Sequence, residues 1–92
     1  MVSALVLMNV KRGTSSAVGE SLAGMEGITE VFSVAGRYDL IAMIRAESNE
    51  RLAELISGDI ANKDAITHTE TLIAFKVFSK HDLEAMFDIG IE

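Results

Sequence analysis

The feature of this sequence that most constrains its fold is a nearly unbroken apolar run from Val2 to Val10, ended by Lys11, Arg12 and Gly13. A run of this length with such an ending favours a central β-strand that is covered on both faces. A membrane-spanning helix needs ~20 apolar residues, and no run in the sequence approaches that length. No basic stretch precedes the run, so a buried strand is favoured over a signal peptide. We infer a cytoplasmic domain without a membrane span.

Two helices are predicted from apolar residues at helical spacing. Hydroxyl side chains that can cap a helix start, Thr14, Ser15 and Ser16, precede the first helix. Ser48 and Asn49 hold the same position before the second helix. The apolar stripes consist of Val18, Leu22 and Met25 in the first helix and of Leu52, Leu55, Ile56 and Ile60 in the second.

Three further strands are predicted at 28–34, Leu40–Ala46 and 66–78. The turn at 36–39 is short enough to make the first two an antiparallel hairpin. A short helix at 80–87 and an acidic end complete the chain. We therefore divide the chain into a ferredoxin-like domain, residues 1–80, and a C-terminal helix with an acidic tail, residues 81–92.

The predicted order is strand, helix, strand, strand, helix, strand. Right-handed crossovers turn this order into a four-stranded antiparallel sheet with both helices on one face, an α+β ferredoxin-like βαββαβ fold. The helices cover one face only, yet Leu5 and Leu7 point away from Val6 and Met8, which are also apolar. We expect an identical subunit to cover the second face about a two-fold axis. The alternative is that the C-terminal helix folds over it.

Composition argues against several kinds of function. The chain carries eight basic and fourteen acidic side chains, and a net charge of -6 disfavours direct contact with nucleic acid. There is no cysteine, and the two histidines, His68 and His81, stand thirteen residues apart without a cluster of acids. No serine or threonine occurs in a pattern that points to a nucleophile with an oriented base. We expect neither an enzyme nor a metal site, and no cofactor.

Two polar segments are candidates for function. In Gly36-Arg37-Tyr38-Asp39, the glycine can adopt a positive φ, and the aspartate can satisfy local amides or bind an ammonium group. The purely structural reading is a hairpin turn stabilised by the aspartate side chain. In Thr67-His68-Thr69-Glu70-Thr71, hydroxyls share one strand face while His68 and Glu70 share the other. Threonines are common on exposed strands, which is the plain interpretation of this segment.

Together these segments resemble the effector-binding domain of the Lrp/AsnC transcriptional regulators. The run Val34-Ala35-Gly36-Arg37-Tyr38-Asp39 is similar to the V-x-G-x-x-D signature across the family's hairpin. Thr69-Glu70-Thr71 is similar to the T-x-T run that opens its last strand. The resemblance covers about residues 2–79, which is nearly the whole chain.

The resemblance implies a dimer made by packing sheets, often assembled further into a ring of dimers such as an octamer. Small effectors such as amino acids bind in clefts between dimers of this family. Carried over by position, Asp39 is the natural partner for an effector's ammonium group, and main-chain amides could take its carboxylate. The ligand-binding residues implied by the family are Gly36, Tyr38, Asp39, Thr69 and Thr71.

The sequence also departs from the family. Its regulators carry an N-terminal helix-turn-helix domain, whereas the first strand here begins at Val2, so we expect a stand-alone version that partners a full-length regulator and does not bind DNA itself. The loop before the last strand reads Asp64-Ala65-Ile66 in place of Pro-Gly-Val.

Two other functions stay open: a small dimeric ferredoxin-like barrel enzyme of the monooxygenase or isomerase type, and a purely structural oligomerisation module.

Overall fold

A computed structural model describes residues 1–78 and residue 80 of the chain. The predicted helix at 80–87 and the acidic tail of residues 81–92 lie, apart from residue 80, outside the described residues. The elements are β1 (Val2–Val10), α1 (Ser15–Ala23), β2 (Ile28–Ser33), β3 (Leu40–Ala46), α2 (Asn49–Glu54), a π-helical segment (Leu55–Ile60) and β4 (Ile66–Ile73).

The four strands form one antiparallel sheet in the order β2-β3-β1-β4, with β1 paired to both β3 and β4. This is the order of a ferredoxin-like βαββαβ fold, so the predicted fold class is confirmed. β1 lies between β3 and β4 in the sheet. A central strand whose two faces are both covered carries apolar side chains on both faces, which gives the nearly unbroken apolar run.

The core lies between the sheet and the helices, on the face that we call the helix face. On β1 this face carries Ala4, Val6 and Met8, which are buried, and their partners on β3 are Ile44, Ala42 and Leu40. The predicted apolar stripes pack on these strands, but α1 ends at Ala23, so Met25 follows the helix and is only partly buried. The buried helical residues are Val18 and Leu22 from α1, Leu52 from α2, and Leu55 and Ile60 from the π-helical segment.

The opposite face of the sheet, which we call the open face, is also apolar. Leu5 pairs with Met43 and Leu72 in one row across the strands, and Leu7 pairs with Ile41 in the next. Met43 and Leu72 remain 37% and 47% exposed in the described part of the chain. The two-sided apolar character predicted from the sequence is therefore present in the folded sheet.

The last strand is shorter than predicted, because it ends at Ile73 and not at residue 78. Its final partner is Ala4 on β1, after which a single hydrogen bond of 2.8 Å joins Ala74 N–H to the Ser3 carbonyl. Residues 75–78 form no strand pairs with β1, which begins at Val2. The apolar pattern of residues 74–78 looked like strand, but a strand also requires a neighbour with which to form hydrogen bonds. β2 likewise ends at Ser33, one residue earlier than predicted.

The two helix starts differ. The Ser48 hydroxyl accepts a hydrogen bond of 3.1 Å from the Arg51 N–H and caps α2, as predicted. Thr14 precedes α1, but its side chain does not cap this helix. Its hydroxyl donates instead to the Lys11 carbonyl at 2.6 Å, which closes the turn after β1. The prediction of a hydroxyl cap on α1 was therefore wrong at Thr14.

The π-helical segment was not predicted. Its wide turn is marked by a hydrogen bond of 3.1 Å from the Ala61 N–H to the Ile56 carbonyl, five residues earlier. Leu55 and Ile60, also five residues apart, are both buried. On a regular α-helix with 3.6 residues per turn, two residues at this spacing point in clearly different directions. The wider turn brings both side chains closer to the sheet.

Candidate functional site

The connection between β2 and β3, residues 34–39, is held against the end of β1 by Asp39. The Asp39 N–H donates to the Met8 carbonyl at 2.9 Å, and its carbonyl accepts from the Val34 N–H at 3.0 Å. Its carboxylate Oδ2 accepts from the Val10 N–H at 2.9 Å. The Asp39 side chain therefore does accept a hydrogen bond from a main-chain amide and stabilise the connection. The amide belongs to Val10 on β1 and not to the turn itself.

The strand register explains why the carboxylate is needed there. β3 begins at Leu40, opposite Met8, so Val10 extends beyond the last residue pair between β1 and β3. A partly buried N–H without a partner is unfavourable, and Asp39 supplies the acceptor that the sheet does not. The Asn9 side chain adds a second tie, since its Nδ2 donates to the Arg37 carbonyl at 2.9 Å. Neither Asn9 nor Val10 was predicted to support the site, because their role depends on strand register.

Gly36 lies in the exposed part of this connection, with a φ of +131°. This value is in the region that favours glycine, and the expectation of a positive φ at this position is confirmed. A Cβ built on Gly36 would meet nothing within 4 Å. The glycine is therefore required by the backbone conformation and not by crowding, and its main chain is open to solvent.

Tyr38 connects the same segment to β4. Partial burial of the phenol raises the pKa of Tyr38 above 10.0, and the Glu70 carboxylate adds to this through hydrogen bonding and negative charge, while Arg37 opposes it. Glu70 lies on the open face, opposite Leu7. Its position between two threonines was visible in the sequence, but nothing there indicated a contact with Tyr38.

Thr69 and Thr71 lie on β4 with their side chains on the helix face. Thr69 is exposed and pairs with Met8, whose carbonyl receives the Asp39 N–H. Thr71 is half-buried and pairs with Val6, one row further from the connection. The fold thus brings Thr69 next to the strand position that anchors Asp39. It places the threonine hydroxyls on the opposite side of β4 from Glu70.

Within residues 1–78, no three histidine, aspartate or glutamate side chains come together in a way that would hold a metal ion. In the same part of the chain, no helix is long and apolar enough to cross a membrane. The sequence-predicted residues fall into two groups: the connection 34–39 with Tyr38 lies beside Glu70, whereas Thr69 and Thr71 lie on the other side of β4.

The order of elements, the sheet order and the helices on one face define a ferredoxin-like α+β domain. Within that class the family is identified by sequence: the model of the Lrp/AsnC ligand binding domain matches residues 3–83, and the chain belongs to this family. The resemblance noted from the hairpin and threonine motifs is confirmed.

Among relatives, the HTH-type transcriptional regulator FL11 of Pyrococcus furiosus is 30% identical over 76 residues, which cover 83% of this chain and 50% of the regulator. The chain thus spans about half the length of the curated relatives that it matches. The crystal structure of TTHA0845 from Thermus thermophilus superimposes with a TM-score of 0.80 and 34% identity, over 87% of this chain and 100% of that one. Transcriptional regulator NMB0573 of Neisseria meningitidis, solved as an L-Met complex, gives a TM-score of 0.74 over 85% of this chain and 52% of that one. At 8% identity, it supports the fold alone.

Proposed function

We propose that this chain is an effector-binding and oligomerising regulatory domain that binds an amino acid or a related small molecule and modulates amino-acid-responsive transcription. The observation that carries the proposal is the connection 34–39, which the Asp39 carboxylate anchors to β1 and which is exposed at Gly36. Membership of a ligand-binding family and relatives that are transcriptional regulators support it. The Neisseria protein of the same fold was solved as an L-Met complex, which makes amino acids the first effectors to test.

Each of the five proposed ligand-binding residues has a role that fits its chemistry. Asp39 pairs with the effector's ammonium group through the carboxylate whose Oδ2 already accepts from Val10. Open amides near Gly36 bind the effector's carboxylate, because several N–H groups converging on an anion form a favourable site. Thr69 and Thr71 supply hydroxyls from the helix face of β4, and Tyr38 supplies its phenol beside Glu70 on the other side of that strand.

The same proposal includes assembly. The open face of each sheet packs on that of a second copy, since an apolar face of this extent is otherwise left to water. Dimers then associate, in a ring such as an octamer, so that the connection 34–39 lies at the rim where two dimers meet. In this scheme the domain is not an enzyme, and DNA is contacted by a full-length regulator of the same family.

Isothermal titration against the twenty amino acids, with two variants at Asp39, tests the effector site. Asp39→Asn keeps an oxygen that can accept from the Val10 N–H but removes the charge, so we expect an intact fold and binding weakened at least ~10-fold, or ~1.4 kcal/mol. Asp39→Ala also removes the acceptor, and it should lower the free energy of unfolding by ~1–3 kcal/mol. Asp59→Asn, an exposed carboxylate in the π-helical segment, is the matched control and should bind as the wild type does.

The outcomes separate the possible functions. If Asp39→Asn binds the effector with unchanged affinity and an unchanged oligomer, the proposed role of Asp39 is wrong. If no amino acid produces heat with the wild-type assembly, the domain is better described as a structural oligomerisation module.

A further inference from the structure

Residues 74–78, which we call the arm, leave the sheet after β4 and carry several apolar side chains into solvent. Phe75 is fully exposed, and Val77 and Phe78 are 43% and 74% exposed. The hydrogen bond from the Ala74 N–H to the Ser3 carbonyl ties the start of the arm to β1. Large apolar side chains concentrated on so short a segment indicate a surface that another molecule covers.

A cavity of about 290 Å³ lies between the arm and the open face of its own sheet. Leu5 and Met43 from the sheet and Val77 and Phe78 from the arm provide its apolar lining. Phe75 does not line this cavity but borders a neighbouring one beside Met1. The arm therefore forms one wall of the cavity without filling it, and the space is large enough for an aromatic side chain.

The rim of the cavity is basic. Arg45 and Lys76 both line it, and among the described residues no acidic side chain does. The Lys76 Nζ lies 5.1 Å from the centre of the Phe78 ring. Cations at this distance are attracted to the faces of aromatic rings, so Lys76 is engaged by its own arm, and Arg45 is the second cation that an aromatic occupant would contact.

We propose that Phe75 of each copy inserts into this cavity of a second copy, so that the two arms are exchanged across a two-fold axis. The inference rests on the assembly through the open face proposed above. The described part of one chain presents both the projecting ring and the cavity, and a two-fold arrangement fills both cavities at once. A ring enclosed among Leu5, Met43 and Phe78, with two cations at its edge, has the features of an interface hot spot.

Removal of the ring tests the proposal. Phe75→Ala should raise the dimer dissociation constant at least ~10-fold in sedimentation velocity, because truncated hot-spot aromatics have effects of this size. Ile73→Ala is the matched control: Ile73 is 54% exposed and only two residues away, but it lies on the helix face, opposite Ala4. The control should leave the dissociation constant unchanged. A Phe75→Ala dimer as tight as the wild type would overturn the proposal.

Cross-linking identifies which copy receives the arm. The chain has no cysteine, so single cysteines can be placed without background. A mixture of Phe75→Cys and Met43→Cys chains treated with a short bismaleimide should give a covalent heterodimer. Phe75→Cys mixed with Glu20→Cys, whose cysteine lies on α1 away from the open face, should not.

The failures of the two proposals are distinguishable. If a chain carrying both Phe75→Cys and Met43→Cys is linked only within itself while sedimentation still shows a dimer, the arm covers its own sheet. That result would overturn the exchange and leave the open-face assembly intact. A wild-type monomer at all concentrations tested would overturn both.

Discussion

Gly36 and Gly58 are matched at the residue scale, because a Cβ added to either would meet nothing within 4 Å. They differ in backbone conformation: Gly36 has a φ of +131°, whereas Gly58 lies in the π-helical segment without a positive φ. We expect Gly36→Ala to lower the free energy of unfolding by ~1 kcal/mol or more, since alanine is strained at that φ. Gly58→Ala should raise it by ~0.4–1 kcal/mol, because alanine restricts the unfolded chain more than glycine does.

Urea unfolding followed by circular dichroism measures both glycine variants under the same conditions. Both substitutions add the same methyl group, so changes of opposite sign in the free energy of unfolding cannot come from the added volume alone. Equal losses of stability in the two variants would mean that crowding, and not backbone conformation, determines the cost at Gly36.

Tyr38 offers a spectroscopic probe of the contact with β4, because it is the only tyrosine and the chain has no tryptophan. Its pKa is raised above 10.0, first by partial burial and then by Glu70. Glu70→Gln should lower the midpoint of tyrosinate formation, measured by absorbance, toward but not fully to 10.0, since the burial of the phenol remains. Glu20→Gln, on α1 and not among the charges that shift the Tyr38 pKa, should leave the midpoint where it is.

The raised pKa also fixes the sign of a stability effect. The native protein holds the phenol proton more tightly than the unfolded chain does, so this stabilising contribution is complete below the unfolded-state pKa. It is lost as the pH rises through the native pKa. A Tyr38→Phe variant should therefore lose less stability than the wild type when the pH is raised through that window.

At the scale of the elements, the sequence predicted well wherever a local pattern is sufficient. The apolar stripe through Leu52 and Leu55, the cap at Ser48 and the bounds of β3 are local properties, and each is found in the structure. The end of β4 was predicted wrongly because it depends on where its pairing with the first residues of β1 ends, and no pattern within residues 74–78 carries that information.

In the candidate site too, local features were predicted from the sequence, and features that depend on strand register were not. A positive φ at Gly36 follows from the residue itself, and it was predicted. The anchoring of Asp39 to Val10 was not, because it arises where β1 extends past the start of β3. Contacts that depend on register between distant segments, such as that of Tyr38 with Glu70, require the folded sheet to be known.

At the scale of the whole molecule, the open face makes a prediction that two neighbouring residues can test. Leu72 and Ile73 are consecutive on β4 and similarly exposed, at 47% and 54%, but they point to opposite sides of the sheet. Leu72 shares a row with Leu5 on the open face, whereas Ile73 pairs with Ala4 on the helix face. A glutamate at either position is solvated in the monomer, so neither substitution should prevent folding.

In the proposed dimer the two positions are no longer equivalent. Leu72→Glu would place two carboxylates, related by the two-fold axis, in an apolar interface without partners, and desolvation of each opposes association by several kcal/mol. We expect the dissociation constant to rise at least ~100-fold, equivalent to ~2.7 kcal/mol, with a monomer in sedimentation velocity where the wild type is dimeric. Ile73→Glu should remain dimeric. The reverse result would place the interface on the helix side of β4, because only the direction of the side chain distinguishes these two residues.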